Sequence, residues 1–219
     1  MTFVVQSSER RVLYTQVAID LVDDFTGAPP LGRISVTLEV DRGGTWHMVP
    51  RKPVFTATST AAFPGLGLTS HPADKLPQQY RVRVTSSRYR PLYGGSLALD
   101  AVVFTVHPYD HQHPPATLLA APLPVFLLPG TDYSFSSGVP VLHGRIEDPG
   151  GLPVDNALVK EGGRERVLTD ARGEFSLPLR WVPLGTTVTI DAEDRSGRLG
   201  NLALNVPGDL VAGQVITVS

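Results

Sequence analysis

Hydrophobic and polar residues alternate along much of this chain, in short runs that end at turn-forming residues. Over residues 34–40 the order is Ile, Ser, Val, Thr, Leu, Glu and Val, so the apolar side chains share one face of an extended strand. The same alternation recurs at 80–85, 187–191, 201–206 and 214–218. No stretch of ten or more residues has the three- and four-residue apolar spacing of an amphipathic helix. The pattern therefore predicts half-buried antiparallel strands in an all-β chain.

Glycine and proline separate the predicted strands. The chain has 21 Gly and 20 Pro among its 219 residues, well above the average of about 12% for the pair. Many of them lie in turn-forming groups at 42–44, 149–151, 162–163, 170–173 and 194–197. Short strands joined by close turns are typical of β-sandwiches and barrels, and a hydrophobic content of 42% is sufficient for a packed core.

An internal repeat indicates how these strands are organised. Residues 17–34 align with residues 141–158 at a constant offset of 124, and each copy has the pattern of strand, tight turn and strand. The identical pairs are Val17 with Val141, Asp24 with Asp148, Gly27 with Gly151 and Pro29 with Pro153. Further along the chain, the alternating run at 80–84 matches the run at 187–191.

The repeat predicts two related β-sandwich domains, at residues 1–115 and 138–219, with a connector at 116–137 between them. The connector is strongly apolar and contains prolines, which cannot donate an N–H to a sheet ladder. We therefore expect an edge strand and a spacer that packs against both domains. Alternatively, the connector is an exposed docking strand that adds to the edge of a partner protein's sheet. The apolar residues expected to bind a partner are Leu118, Leu119, Val125, Phe126 and Leu127.

The second copy contains several short motifs in a fixed order. They are Gly144 in the first strand, Gly151-x-Pro153 in the turn, Ala157-x-Val159 in the next strand, and Thr169-Asp170-x-x-Gly173-x-Phe175 in a hairpin. This order of motifs resembles the carboxypeptidase regulatory-like family, whose domains have the transthyretin (prealbumin) fold. In the hairpin, Asp170 can accept backbone N–H groups of its own turn, and Gly173 supplies a positive φ. The first copy departs from the pattern, with Asp20 at the position of Gly144 and no Thr-Asp-x-x-Gly hairpin.

The resemblance implies a seven-stranded sandwich that serves as an accessory, adhesive or scaffold module. Since such modules make up almost the whole chain, we expect a non-catalytic structural or adaptor protein that binds other protein subunits. Residues 128–135 also resemble a stretch in accessory proteins of phage-tail-like contractile particles, which would place the chain in a contractile injection system. Strand edges that pair between copies would give a homo-oligomer. A carbohydrate-binding or adhesive module is the first alternative.

Charge and composition argue against several other classes of partner. Lys and Arg number 19 and Asp and Glu number 21, and a net charge of −2 provides no general attraction to nucleic acid or to anionic membranes. Cys is absent, so there is no thiolate nucleophile and no disulfide framework. The first residues have no basic region followed by a long apolar core, and no run reaches the roughly 18 apolar residues of a spanning helix. We expect a protein without membrane insertion, made in the cytoplasm without a conventional export signal, which acts there or within a released particle.

Motifs for catalysis are few. No Gly-x-Ser-x-Gly elbow, Ser-x-x-Lys motif or phosphate-binding Gly-x-x-x-x-Gly-Lys loop occurs, so we expect neither an enzyme nor a bound cofactor. One cluster of metal-ligand residue types lies in a short stretch before two prolines. Its candidate ligands are His107, Asp110, His111 and His113. A metal-dependent enzyme is therefore a second alternative, similar to the intradiol dioxygenases with their Tyr and His-x-His iron ligands. The absence of equivalent paired tyrosines and the neighbouring prolines favour a solvated loop.

A basic and aromatic run is the remaining candidate for binding. Arg81 and Arg83 project from the same face of the strand at 80–85, where their guanidinium groups could bind carboxylates, phosphates or sugar hydroxyls. Tyr89 and Tyr93 follow and could stack on a ligand. Edge strands also carry such charges merely to prevent aggregation, and we favour that interpretation.

Overall fold

A computed structural model describes residues 13–115, 118 and 120–219, which form sixteen β-strands and two short 3-10 helices. The first nine strands are β1 (Ala18–Asp23), β2 (Ile34–Arg42), β3 (Thr45–Val49), β4 (Val54–Phe55), β5 (Thr60–Ala62), β6 (Gln78–Ser86), β7 (Tyr89–Tyr93), β8 (Val102–Val106) and β9 (Leu123–Pro129). The other seven are β10 (Val141–Glu147), β11 (Leu158–Glu161), β12 (Glu165–Leu168), β13 (Glu174–Pro178), β14 (Thr186–Glu193), β15 (Leu199–Val206) and β16 (Gln214–Thr217). The 3-10 helices are Pro72–Asp74 and Gly208–Val211, so within the described residues no helix is long and apolar enough to cross a membrane.

The strands form two β-sandwiches, one after the other along the chain. In the first sandwich, a five-stranded sheet of order β4-β5-β1-β9-β7 lies against a four-stranded sheet of order β3-β2-β6-β8. In the second, a three-stranded sheet of order β13-β10-β16 lies against a four-stranded sheet of order β12-β11-β14-β15. Each sandwich encloses its own cluster of buried apolar residues. The all-β sandwich class predicted from the alternating pattern is confirmed.

The two sandwiches repeat one arrangement of strands. The order β5-β1-β9 in the first matches β13-β10-β16 in the second, and β3-β2-β6-β8 matches β12-β11-β14-β15. Strand directions match as well. In the first sandwich β1 is parallel to β9 and antiparallel to β5, and in the second β10 is parallel to β16 and antiparallel to β13. The first sandwich adds β4 and β7. In the chain, β7 lies between β6 and β8, where the second sandwich has only the short loop 194–198.

The offset between the two copies along their first strand is 125 residues, one more than the sequence alignment predicts. Ile19 of β1 pairs with Ala61 of β5, and Gly144 of β10 pairs with Phe175 of β13. Ile19, and not Asp20, therefore occupies the position of Gly144. A shift of one residue moves every side chain of a strand to the opposite face, so an offset of 124 would place buried side chains on the exposed face.

The hairpin that the sequence places only in the second copy is present in both. In the second copy, the Asp170 carboxylate accepts the N–H of the residue four positions on, and Gly173, with φ of 75°, donates its N–H to the Asp170 carbonyl. In the first copy, the Thr56 hydroxyl accepts the N–H four positions on, and Ser59, with φ of 63°, donates its N–H to the Thr56 carbonyl. The first copy lacks the Thr-Asp-x-x-Gly motif, but it has the equivalent turn because Thr56 and Ser59 take the roles of Asp170 and Gly173.

The apolar part of the predicted connector is an inner strand of the first sandwich. Strand β9 pairs with β1 on one side and with β7 on the other, so it is not the edge strand that its prolines predicted. Pro129 pairs with β7 but lies past Leu127, where the pairing of β9 with β1 ends. Pro124 pairs with β1 but lies before Val125, where the pairing of β9 with β7 begins. The prolines are tolerated because their missing N–H donors fall where the neighbouring strand has ended.

Candidate functional site

The first turn of each sandwich is built around a buried or half-buried aspartate. In the second sandwich, Asp148 Oδ1 accepts the backbone N–H groups of Gly150 and Leu152, at 2.8 and 2.9 Å. In the first, Asp23 Oδ1 accepts those of Phe25 and Thr26, at 2.9 and 3.3 Å. By its role, Asp23 corresponds to Asp148, and the sequence alignment of Asp24 with Asp148 is wrong by one position. The first turn is one residue longer, which leaves the Asp24 side chain available for another partner.

Asp23 also joins the first sandwich to the segment that follows β9. Only 1% of Asp23 is exposed, and its Oδ2 accepts the hydroxyls of Tyr89 at 3.0 Å and Tyr133 at 2.9 Å. Burial raises the pKa of both phenols, and their hydrogen bonds to the Asp23 carboxylate raise each pKa further. Both tyrosines therefore stay protonated and act as donors. All four hydrogen bonds to this carboxylate come from neutral groups of the fold.

Asp24 reaches across to the second sandwich. Its two carboxylate oxygens accept hydrogen bonds from Arg166 Nε at 2.9 Å and Arg166 Nη2 at 2.7 Å. This bidentate contact raises the pKa of the Arg166 guanidinium, which also lies 5.2 Å from the centre of the Phe126 ring. Arg166 of β12 thus binds the first turn of the first sandwich through its guanidinium fork and contacts β9 through the Phe126 ring.

An aromatic cluster continues the same contact. The Arg180 guanidinium lies 3.8 Å from the centre of the Phe25 ring and donates to Glu165 Oε1 at 2.6 Å. Phe25 in turn makes edge contacts with Tyr133 at 5.6 Å and with Phe135 at 5.2 Å between ring centres. The turn of the first sandwich, the segment after β9 and the second sandwich therefore meet in one cluster.

A small apolar core closes the space between the sandwiches. Leu92 of β7 and Leu128 of β9 are buried together with Leu168 of β12, and three further apolar side chains pack against them. These are Leu97, Phe126 and Leu158. We call the Asp24–Arg166 pair, the Arg180 aromatic cluster and this apolar core the junction. The junction thus joins the two sandwiches by buried apolar side chains and by a bidentate ion pair.

The apolar residues predicted to bind a partner lie mostly inside the molecule. Val125 and Leu127 are fully buried in the core of the first sandwich, and Phe126 is half-buried at the junction. Leu118 is exposed, and Leu119 lies outside the described residues. The docking-strand hypothesis is wrong for β9, because both edges of this strand are already paired within its own sheet.

The two arginines predicted on one strand face have local partners. Arg81 pairs with Glu39 and lies 4.7 Å from the centre of the Trp46 ring. Arg83 donates to Asp100 Oδ2 at 2.6 Å, and this hydrogen bond lowers the pKa of the Asp100 carboxyl. The tyrosines predicted to stack on a ligand, Tyr89 and Tyr93, are buried within the first sandwich.

The histidine cluster does not assemble as a metal site. Asp110 Oδ1 accepts the backbone N–H groups of Gln112 and His113, and the His113 ring lies 3.0 Å from the same oxygen. These hydrogen bonds, above all those from His113, lower the pKa of Asp110 and show that its carboxylate holds a turn. His107 and His111 do not join it. In the described ranges, no group of three or more His, Cys, Asp or Glu side chains is arranged to hold a metal ion.

The ionic residues of the junction, Asp24, Arg166 and Arg180, were not singled out as a site in the sequence, whereas Phe126 was, as a residue that binds a partner protein. The adjacent acids at 23 and 24 were a usable signal, because a single carboxylate is enough to close the turn and the other must have a different role. Arg166 and Arg180 gave no signal, since the partners that they contact in the first sandwich, Asp24 and Phe25, lie more than a hundred residues away in the chain.

Comparison with known proteins gives no family for this chain. No family model and no curated protein matches the sequence. Two solved structures superpose on 94% of the chain, each with a TM-score of 0.28: the Bacillus anthracis TIE protein, at 12% identity, and a mutant of the shaft pilin spaA from Lactobacillus rhamnosus GG, at 11% identity. The chain spans about a third of the TIE protein (33%) and 98% of the pilin. Superpositions this loose add nothing to the strand pairing described above.

Proposed function

We propose that this protein is a non-catalytic structural or adaptor subunit, in which the junction holds two β-sandwiches as one rigid unit. The junction is the observation that supports this most directly. A rigid pair of sandwiches can set the distance between two binding partners, whereas two domains on a flexible linker cannot.

The partners of three buried carboxylates support a structural role for these groups rather than a catalytic one. The most deeply buried carboxylates are those of Asp23, Glu165 and Asp194. Asp23 is used by a turn and two tyrosines, Glu165 by Arg180, and Asp194 by its own loop and Arg198. Catalytic acids and bases need a hydrogen-bonding position left for substrate, and these groups are occupied by the fold.

The finer form of the proposal is a subunit of a phage-tail-like contractile particle. It is supported only by the likeness of residues 128–135 to accessory proteins of such particles. In this chain the same stretch contains Leu128, Tyr133 and Phe135, which are junction residues. The likeness would then reflect a shared way of fixing two modules.

The test is isolation of the protein from its native host after mild cross-linking, followed by size-exclusion chromatography and mass spectrometry. We expect elution well above the 23.5 kDa of one chain, with the same protein partners in a fixed ratio. Arg166→Gln combined with Arg180→Gln loosens the junction and should reduce incorporation into the complex while each sandwich stays folded.

The matched control is Arg164→Gln combined with Arg33→Gln, because both arginines are exposed and neither belongs to the junction. This control removes the same two positive charges and should leave incorporation unchanged. Elution of the native protein as a free monomer would contradict the proposal. Equal incorporation of the junction variant would show that rigidity is not what the assembly requires.

A further inference from the structure

A cleft of about 350 Å³ opens to solvent where the two sandwiches meet, beside the junction. The first sandwich contributes the end of β6 and strand β7, and the second contributes Asn156 and Arg195. Clefts between domains are common positions for ligand sites, and this volume lies in the range that ligand sites occupy.

The cleft is lined by three arginines and one carboxylate. They are Arg83, Arg90, Arg195 and Asp100. Arg83 is bound to Asp100, as described above. Over residues 13–115, 118 and 120–219, no carboxylate lies within 4.0 Å of the guanidinium of Arg90 or Arg195. Two arginines from different sandwiches thus face one cleft without an internal counterion, an arrangement that an incoming anion would stabilise.

Both unpaired arginines stand on ordered supports. Arg90 belongs to β7, where its neighbour on the same strand face, Leu92, is buried in the junction. Arg195 lies in the loop 194–198, where Asp194 Oδ1 accepts the N–H groups of Ser196 and Arg198 at 2.8 and 2.9 Å. Arginines on such supports lose less conformational entropy when they bind a ligand than arginines on mobile loops.

Two other uses of this cleft fit the structure less well. The free edge of β7 faces away from β9, and Pro91 at its middle has no N–H to offer, so addition of a partner strand is disfavoured. Tyr89 and Tyr93 line the cleft but are buried in the first core, so their ring faces cannot stack on a sugar. Guanidinium groups remain as the recognition chemistry.

We infer that this cleft is an oxyanion-binding site, in which Arg90 and Arg195 hold a carboxylate, phosphate or sulfate group between the two sandwiches. Guanidinium forks match the geometry of all three groups. Asp100 competes with the ligand for Arg83 and limits its affinity. The inference is independent of the proposed assembly role, because it concerns one cleft of the isolated protein.

The experiment is an NMR titration of the full chain, following the Nε–Hε resonances of Arg83, Arg90 and Arg195. The probes are inorganic phosphate, inorganic sulfate and a triglutamate peptide, added separately at constant ionic strength. Saturable shifts of the Arg90 and Arg195 resonances are expected with at least one probe, and the probe that binds most tightly identifies the group. Arg90→Gln or Arg195→Gln should weaken that binding by about tenfold each.

Two further variants make the result decisive. Asp100→Asn frees Arg83 and should strengthen binding of the probe several-fold. An unchanged affinity would contradict the competition between Asp100 and the ligand for Arg83. Arg164→Gln removes an equal charge elsewhere and should leave the affinity unchanged. The inference is overturned if no probe gives saturable shifts at the arginines, or if Arg164→Gln weakens binding as much as the cleft variants do.

Discussion

At one pair of facing residues, the two sandwiches have a similar total side-chain volume but carry the larger side chain on different strands. In the first, Ile19 faces Ala61, and in the second, Gly144 faces Phe175. Ile19, Ala61 and Phe175 belong to the cores, and the Phe175 ring lies directly over Gly144, so neither pair has room for two large side chains. At this pair, the repeated fold keeps a similar total side-chain volume and exchanges which strand carries the large side chain.

A second difference explains where the junction comes from. The extra residue in the first turn releases Asp24, and the inserted strand β7 supplies Leu92. Neither feature has an equivalent in the second sandwich, whose corresponding turn is shorter and whose β14 and β15 are joined by a short loop. The departures of the first copy from the common plan therefore form much of its contact with the second.

The largest effect is expected from giving Gly144 a side chain. A Cβ at this position would lie 2.6 Å from Phe175 Cζ and 2.7 Å from the Gln214 carbonyl oxygen. Gly144→Ala should lower the free energy of unfolding by about 3 kcal/mol, because the ring and the adjacent strand must both move. Urea denaturation measures the change.

Gly138→Ala is the control for this substitution, since no atom lies within 4 Å of the new Cβ there. Combining Gly144→Ala with Phe175→Leu moves the pair toward the large-and-small arrangement of the first sandwich. The double variant should lose less stability than the sum of the losses of the two single variants. Simple additivity would show that the contact with Phe175 is not what constrains Gly144.

The alternation of side chains was sufficient to predict the strands, the sandwich class and the repeat, because burial of one strand face imposes a period of two. The register failed by one position because three of the four identical pairs of the alignment, such as Gly27 with Gly151, lie in or beside the turns, and the turns differ in length. The inner position of β9 was missed because proline has no N–H to donate and therefore predicts an edge strand. Only the structure shows that the neighbouring strands end before they would need that N–H. The junction depends on contacts between distant parts of the chain, which strand periodicity does not encode.

The shared hairpin gives the next effect. A Cβ on Gly173 would lie 2.5 Å from the Ile146 carbonyl oxygen, at a φ of 75°. Gly173→Ala should cost about 2–3 kcal/mol, whereas Gly163→Ala, at φ of 78° with open space around the new Cβ, should cost about 1 kcal/mol. Ser59→Gly, at the equivalent position of the first copy, should change stability by less than about 1 kcal/mol. Equal costs at 173 and 163 would mean that the close carbonyl contact has no influence.

The two turn aspartates should differ by a smaller amount. Asp23→Asn replaces an acceptor of four hydrogen bonds in a buried site by a group that also carries two donors, and should cost about 2 kcal/mol. Asp148→Asn affects an accessible turn and should cost about 1 kcal/mol or less. Thermal and urea unfolding of both variants measure the difference. A cost at Asp148 as large as that at Asp23 would indicate that the two tyrosine hydroxyls add nothing to the turn.

The smallest effect is expected in acid, and it concerns the connection from β14 to β15 in the second sandwich and from β6 to β8 in the first. In the second sandwich this is the loop held by Asp194, which has a side chain only 4% exposed. Burial alone raises the pKa of Asp194, but hydrogen bonds from Arg198 and Ser196 lower it by more, and the net pKa lies below the ordinary value of 3.8. In the first sandwich the corresponding stretch contains Asp100, whose pKa is also lowered but whose side chain is half exposed.

A carboxyl with a lowered pKa in the folded state adds stability above the ordinary pKa, and that stability is lost as the pH falls through the folded value. Wild-type protein should therefore lose stability more steeply than Asp194→Asn below about pH 4, with the two curves parallel above about pH 5. Asp100→Asn should follow the wild type closely at all pH values, because solvent screens an exposed pair. Urea midpoints at a series of pH values give the curves. If Asp194→Asn also parallels the wild type in acid, the loop of the second sandwich is not held by its carboxylate, and the two connections differ in length alone.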